Sequence, residues 1–319
     1  MSAHVDIIIP TYNGYQHLAH CLNALRAQTH DAFRVIVVDD ASTDGTPERL
    51  HRDWPEVEPL LLPRNSGLVT AVNAGLALSE AEYVALLNND TEPEPGWLAA
   101  LVDALDRHPK AAAIASKMLL FNQRDTFHAA GDTYARNGRP GNRGVWQRDS
   151  GQFDCEEEVF GACAGAALYR RSALDEVARI DGAILDPSFF MYCEDVDLSW
   201  RLRLRGHAIV YAPAAVVYHH LSATGGGPLA SYYVARNTLN VILKDLPGSL
   251  LWQNLRAIVA DQVRDAWQTL PHVREPAARA RLCGVLAAFR SAPLMLAKRR
   301  KIQRARRVSI ADLERFLDQ

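Results

Sequence analysis

Four short apolar runs, Val5–Ile9, Val35–Val38, Leu60–Leu62 and Tyr83–Leu87, punctuate the first part of the chain, with amphipathic stretches between them. The first two are rich in Val and Ile and too short for helices, as buried strands are. Leu18, Cys21, Leu22 and Leu25 recur at helical spacing, and Leu68, Val72 and Leu76 repeat at intervals of four. Strand alternating with helix predicts a mostly parallel sheet with helices on both faces. Such sheets bind ligands at the carboxyl ends of their strands, so the residues just past each strand carry the chemistry. The length, 319 residues, suits about two domains, or one with an appendage.

After the first strand, Pro10-Thr11-Tyr12-Asn13-Gly14 contains neither a G-x-G-x-x-G fingerprint nor a phosphate loop, which disfavours a dinucleotide oxidoreductase. The second strand ends in Asp39-Asp40, followed by Ala41–Thr46. Paired carboxylates there can accept hydrogen bonds from a base N–H or ribose hydroxyls; Ser42–Thr46 also has the composition of a turn and helix cap. The fourth strand ends in Asn88-Asn89-Asp90. One carboxylate with two amides can help hold a hard divalent cation that takes its other ligands from substrate phosphates, or can form a turn before Pro93 and Pro95.

Gly96–His108 reads as a helix and Ala111–Ser116 as a weak strand. Phe121–Phe160 is long, Gly-rich and irregular, as binding loops or lids are. Gly161–Ala167 is nearly free of bulk, which suits close approach of a ligand or of a neighbouring element. In Phe189–Gly206, apolar alternation alone suggests a strand. Leu and Arg content, acidic residues first, Arg203 and Arg205 last, and Gly206 after them favour a helix. Glu194 and Asp195 then lie at its amino end, where the dipole favours the ionised form. They are general-base candidates or complement the dipole alone. Strand-like His207–Tyr211 and Ala215–Tyr218 follow, the second ending in His219-His220, which can ligate a metal or serve as ordinary polar residues.

From Tyr232 onwards the chain reads as helical. Leu282–Leu296 is apolar but broken by Gly284, Arg290 and Pro293, and seven basic residues follow within Lys298–Arg307. This is the pattern of a membrane-surface anchor or of a solvated helix packed on the catalytic part. A net charge of −2 argues against nucleic acid as a partner. Five scattered cysteines without a C-x-x-C pair argue against a disulfide scaffold or thiolate zinc site and for a reducing compartment. No secretory signal opens the chain, and no uncharged apolar run reaches the ~20 residues of a membrane helix. The expected location is the cytoplasm.

Taken together and in order, VDIIIPTYNG, VVDDASTDGT, NSGLVTAVNAGL, LLNNDT, the EDVDLSWR helix and VVYHH resemble the inverting family 2 glycosyltransferases of the GT-A fold, over roughly residues 5–247. LLNNDT, YCEDVDLSWRLRLRG and Arg236-Asn237 are most similar to the rhamnosyltransferase-like bacterial branch. Ile180–Asp186 departs from the family's Gly-Gly-Phe-Asp-like stretch, which bears on the acceptor loop. The resemblance implies an α/β GT-A catalytic domain over 1–228, with a nucleotide-sugar half to about 118 and an acceptor half beyond it. A helical extension with a basic tail over 229–319 completes the chain.

Carried over by position, Pro10, Tyr12 and Asp40, with Asp39 beside it, would grip base and ribose. Asn65, Gly67 and Asn73 would line the donor pocket. Asp90 would bind Mg²⁺ or Mn²⁺ on the donor diphosphate, with Asn88 and Asn89 as neighbours and His219, or alternatively His220, as a further ligand. Asp195 would be the general base, with Glu194, Asp197 and Trp200 supporting the acceptor or the helix. The implied donor is a dTDP- or UDP-sugar carrying rhamnose or another hexose. The implied acceptor is a glycan or lipid-linked glycan at the inner face of the membrane. Inversion needs one base for the acceptor hydroxyl and charge stabilisation for the departing diphosphate, and the chain offers a separate acidic site for each. A sugar-1-phosphate nucleotidyltransferase would want a Gly-rich, Arg-containing loop in place of Pro10–Gly14. A non-catalytic nucleotide-sugar-binding module would not need Asp195.

Overall fold

The computed structural model describes residues 4–221 and 227–318. β1 (Val5–Thr11), β2 (Phe33–Asp39), β3 (Glu58–Leu61) and β4 (Tyr83–Leu87) alternate with α1 (Tyr15–Arg26), α2 (Thr46–Asp53) and α3 (Leu68–Leu78). The four strands pair in parallel. β1 is buried throughout because its alternate side chains enter two cores. Ile8 packs with Val38, Val72 and Leu76 on one face, and Ile7 and Ile9 pack with Leu18, Leu22 and Leu25 on the other.

Beyond β4 come β5 (Thr91–Pro93), α4 (Trp97–Arg107), β6 (Ala111–Leu120), β7 (Gln123–Ala130), β8 (Asp132–Ala135), β9 (Pro140–Asn142), β10 (Glu157–Glu158) and β11 (Ala166–Arg170). Then follow α5 (Arg171–Asp181), α6 (Glu194–Arg205), β12 (Ala208–His219), α7 (Gly227–Lys244), α8 (Gly248–Thr269), α9 (Pro276–Arg304), α10 (Ile310–Glu314) and β13 (Leu317–Asp318). The main sheet runs β10-β12-β6-β11-β4-β1-β2-β3, with β5 beside β12 and β7 beside β6. β11 is antiparallel to both its neighbours, β4 and β6, whereas β6 and β12 are parallel. The sheet is thus parallel through its amino-terminal half and mixed beyond it.

Three elements differ from the sequence expectation. β6 continues past Ser116 to Leu120, because Lys117 is buried against Asp149, 2.5 Å away, instead of ending the strand. The two runs expected around 207–218 form the single strand β12, whose register against β6 slips between Ala212 and Val216, a bulge at Pro213. Phe121–Phe160 is not an irregular loop throughout: it contributes β7 to the main sheet and β8 and β9 to a small second sheet completed by β13.

α6 lies buried between layers, with Val196, Trp200 and Leu204 along one apolar stripe and Leu198 and Leu202 along another. Trp200 meets Tyr134 and Phe160 edge-on at 5.0 and 5.1 Å between ring centres. The extension is pinned to this helix. Lys244 of α7, wholly buried, sets its Nζ 2.7 Å from Asp181, 2.7 Å from Asp186 and 2.5 Å from Asp197. Lys298 of α9 reaches Asp186 as well. The departing stretch Ile180–Asp186 therefore supplies the carboxylates that hold the extension.

Candidate active site

Two connected cavities open at the carboxyl ends of β1, β2 and β4. The outer one, about 890 Å³, is lined by Pro10, Tyr12, Asp40, Asn65, Gly67, Asn88, Asn89 and Asp90, among others. Its rim is stitched across two strand ends: Asn13 N–H donates to Ser42 Oγ at 2.8 Å and Thr43 N–H to Asn13 Oδ1 at 2.7 Å. Asp44 accepts from the Thr46 backbone N–H, so Ser42–Thr46 is a turn into α2. Asp40 does more than face a ligand. Its two oxygens accept the backbone N–H groups of Ser66 and Gly67, both at 2.8 Å, and so draw the Asn65–Gly67 loop to the cavity. Gly67, at φ +87, lies under Phe190, whose ring would be 2.5 Å from an added Cβ.

Two expected donor residues do not line either cavity. Asp39 is buried with Oδ1 on the Ser42 N–H, because alternation sends neighbouring side chains of β2 to opposite faces. Asn73 bonds both backbone groups of Leu185, donating at 2.7 Å and accepting at 3.0 Å, and so braces the Ile180–Asp186 stretch.

Antiparallel pairing of β5 with β12 sets His219 opposite Thr91 and brings its Nε2 to 3.1 Å from Asp90 Oδ1. Burial opposes the charge of Asp90, but the His219 hydrogen bond and charge outweigh it and hold the carboxyl below the usual range. His220, on the opposite face, bonds Glu92 at 3.1 Å and stacks on Phe121. The pair facing the cavity is therefore Asp90 and His219, one oxygen and one nitrogen donor. No group of three His, Cys, Asp or Glu among the described residues converges as a metal cage. A divalent cation fits here if its remaining ligands are phosphate oxygens and water, which Mg²⁺ and Mn²⁺ accept.

The inner cavity, about 350 Å³, is lined by Asp90, His128, Asp132, Glu194, Asp195 and His219, among others. Asp195 is half-buried at the amino end of α6, with Oδ1 on the Val196 N–H at 2.8 Å and Oδ2 on the Ala164 N–H at 3.3 Å. The small residues of Gly161–Ala167 allow that approach. Burial raises the Asp195 carboxyl, and the backbone bonds offset only part of the rise. Burial thus opposes the ionised form that a position at the amino end of a helix favours. Glu194 is pushed up to about 8 by burial and by the charge of Asp195. Asp132 is raised well above its ordinary value for the same two reasons. Asp197 does not reach the acceptor side. It is buried between Arg201, at 2.7 Å, and Lys244, and like Trp200 it supports the helix.

A model of glycosyl transferase family 2 matches residues 6–178. The chain belongs to this family. Over 259 residues, 73% of this chain and 81% of the relative, it is 31% identical to the N-acetylglucosaminyl-diphospho-decaprenol L-rhamnosyltransferase of Mycobacterium tuberculosis. Two solved structures share the fold. One is S. aureus TarS 1-349, with TM-score 0.58 and 20% identity, covering 95% of this chain and 90% of that one. The other is a Pyrobaculum calidifontis mannosyltransferase in complex with GDP-Man and Mn²⁺, with TM-score 0.56 and 16% identity, covering 96% and 86%. The architecture is that of GT-A glycosyltransferases.

Several further residues shape this candidate site through contacts that the motifs do not specify. His128, on β7, places Nδ1 3.2 Å from His219 Nδ1, and burial followed by His219 pushes it down to about 3. It remains neutral, able to orient the ring that faces Asp90. Phe190, Tyr192 and Cys193 have φ of +67, +66 and +62, three non-glycine residues in the left-handed region just before α6. Asn237 Nδ2 bonds the carbonyls of Phe189, Met191 and Tyr192 at 3.0, 2.8 and 2.7 Å, and Arg236 bonds those of Ser188 and Phe189. Arg236-Asn237 thereby maintains the strained turn that delivers Asp195. Sequence spacing could not reveal this, since the partners lie more than forty residues apart.

Proposed function

We propose that the chain transfers rhamnose or a related hexose, with inversion, from a dTDP- or UDP-sugar to a glycan or lipid-linked glycan. The setting proposed is the cytoplasm at the inner face of the membrane, in cell-surface polysaccharide synthesis. The carrying observation is that the Asp90–His219 pair and Asp195 line one inner cavity from different elements, with the outer cavity adjoining. The decaprenol-linked name of the relative supports a lipid-linked acceptor.

In this reading Asp195 accepts the acceptor hydroxyl proton as that oxygen attacks the anomeric carbon, and the bond to the diphosphate breaks on the opposite side. A divalent cation at Asp90 and His219 would supply charge that stabilises the departing diphosphate. Pro10, Tyr12 and Asp40 hold the nucleotide end, and the Asn65–Gly67 loop closes over it. Burial raises the Asp195 carboxyl, so turnover should fall with acid above the usual carboxylate range. Asp195→Asn tests the assignment. Nucleotide affinity should survive while turnover drops by ~10²–10⁴, and NMR of the wild-type product should show inversion. Loss of nucleotide binding together with turnover, or a retained anomeric configuration, refutes it.

A further inference from the structure

α8 carries a second apolar stripe on its outward side. At 100° per residue, Trp252, Val259, Val263, Trp267 and Leu270 fall within an arc of roughly 80°, and this stripe faces solvent. Trp252 and Trp267 are each 76% exposed and Val263 61%. The inward side carries Asp261, buried and paired with Arg139, and Asp265, paired with Arg281. Leu250 and Ile258, buried in the core, and these ion pairs fasten the helix to the protein, while an apolar stripe some 27 Å long, at 1.5 Å per residue, looks outward.

α9 continues the pattern. One side is locked to α7: a Cβ on Gly284 would lie 2.2 Å from the Tyr232 carbonyl, and Ser291 bonds Asn240 at 2.6 Å. Its other side exposes Leu286, Phe289, Leu294 and Leu296. The helix is long and apolar enough to cross a bilayer, yet its packing on α7 lays it along the protein. In the basic segment beyond, Lys298, Arg299, Arg306 and Arg307 are tied to protein atoms. Arg300, Lys301 and Arg304 remain on the outer side.

We propose that the outward stripe of α8, continued by the exposed side of α9, docks this enzyme on an anionic lipid bilayer. Charge selects that occupant. Residues 248–307 carry thirteen Lys and Arg against three Asp and Glu, net +10 in a chain of net −2, and Asp261 and Asp265 are already paired internally. Two such faces from a second copy would repel each other, whereas anionic headgroups complement them. Exposed indoles suit the interfacial zone, with their ring bodies in the apolar layer and their N–H at the headgroups. The surface deepens the proposed membrane location and rests on it. It moves the apolar contact from the tail expected in the sequence to α8.

The test is flotation of the full chain with phosphatidylcholine vesicles, with and without phosphatidylglycerol, at low and high salt. The wild type should float with the anionic vesicles at low salt and be released by high salt. Trp252→Ser with Trp267→Ser should weaken partitioning by at least about tenfold. Arg300→Ala, Lys301→Ala and Arg304→Ala together should weaken it roughly a hundredfold, about fivefold per residue. None of these residues lines the cavities, so UDP or dTDP affinity should be unchanged in both variants. Absence of flotation, flotation of the double Trp variant like wild type, or a wild-type dimer that the Trp changes dissociate overturns the proposal. Failure of nucleotide binding with flotation intact would refute the proposed transfer and leave the docking surface standing.

Discussion

Lys244→Met measures how firmly the helical extension supports the acid helix. In the native protein the Nζ lies 2.7, 2.7 and 2.5 Å from Asp181, Asp186 and Asp197, with no solvent access. Burial opposes the ammonium, but Asp197, Asp245 and Asp186 outweigh it and keep it protonated beyond the usual lysine range. Met fills nearly the same space, so packing survives while the charge disappears. Of the described cations, Asp181 then has only Arg201, 3.9 Å away, and Asp186 only Lys298, beside its bond from the Ser188 N–H. Breaking a buried pair from one side costs about 3–5 kcal/mol, a large share of the 5–15 kcal/mol typical of a folded protein. With a urea slope near 3 kcal/mol per molar, the midpoint followed by tryptophan fluorescence should fall by about 1–1.7 M. The deficit should also depend on pH. Asp186 is held below its ordinary value in the wild type by Lys244 and Lys298 against the cost of burial, so it stabilises at neutral pH and loses that contribution in acid. In the variant the stranded carboxylates rise instead, and a raised carboxyl destabilises as pH increases. The gap should therefore narrow from pH 7 to pH 4. A midpoint shift below ~0.3 M, or a gap independent of pH, would show that Arg201 and Lys298 compensate and that the pinning argument fails.

Two further substitutions separate loop shaping from metal holding. Asp40→Ala removes both N–H acceptors of the Ser66–Gly67 loop; a charge-assisted bond of ~1.5–3 kcal/mol implies a rise of roughly 10- to 150-fold in the dissociation constant for UDP or dTDP. Unchanged calorimetry would mean that the loop holds its shape without it. Asp90→Ala should weaken nucleoside diphosphate binding in Mn²⁺ but scarcely in chelator, and equal loss in both conditions would make Asp90 structural.

The parts of the fold legible in the sequence are those in which local composition and tertiary burial agree. β1 and β2 are Val- and Ile-rich and buried on both faces, so the apolar run and the strand coincide. α6 was ambiguous by alternation alone, and its acidic start, basic end and Gly206, at φ +89, resolved it correctly. β6 and β7 are different. Their Ala, Lys, Gln and Asp residues have little intrinsic strand preference; the pairing that stabilises β6 comes from distant β12 and β11, and β7 then pairs on β6. The bulge in β12 likewise divides one strand into two apparent runs.

The same limit governs the site. Motifs mark residues that end a strand or begin a helix, and Asp40, Asp90, Asp195 and His219 are all of that kind. His128 and Asp132 reach the inner cavity because β7 and the start of β8 fold back beside β6 and Gly161, which no local pattern announces. Protonation is even less legible, since it depends on what encloses each carboxylate. A carboxylate that is to face a cation and one that is to take a proton need opposite surroundings. Here Asp90 is held low by a histidine on an adjacent strand, while Asp195 is raised by burial. Glu194 and Asp132 beside it are raised as well, by burial and by the charge of Asp195. Burial and β-pairing, more than helix position, set that division.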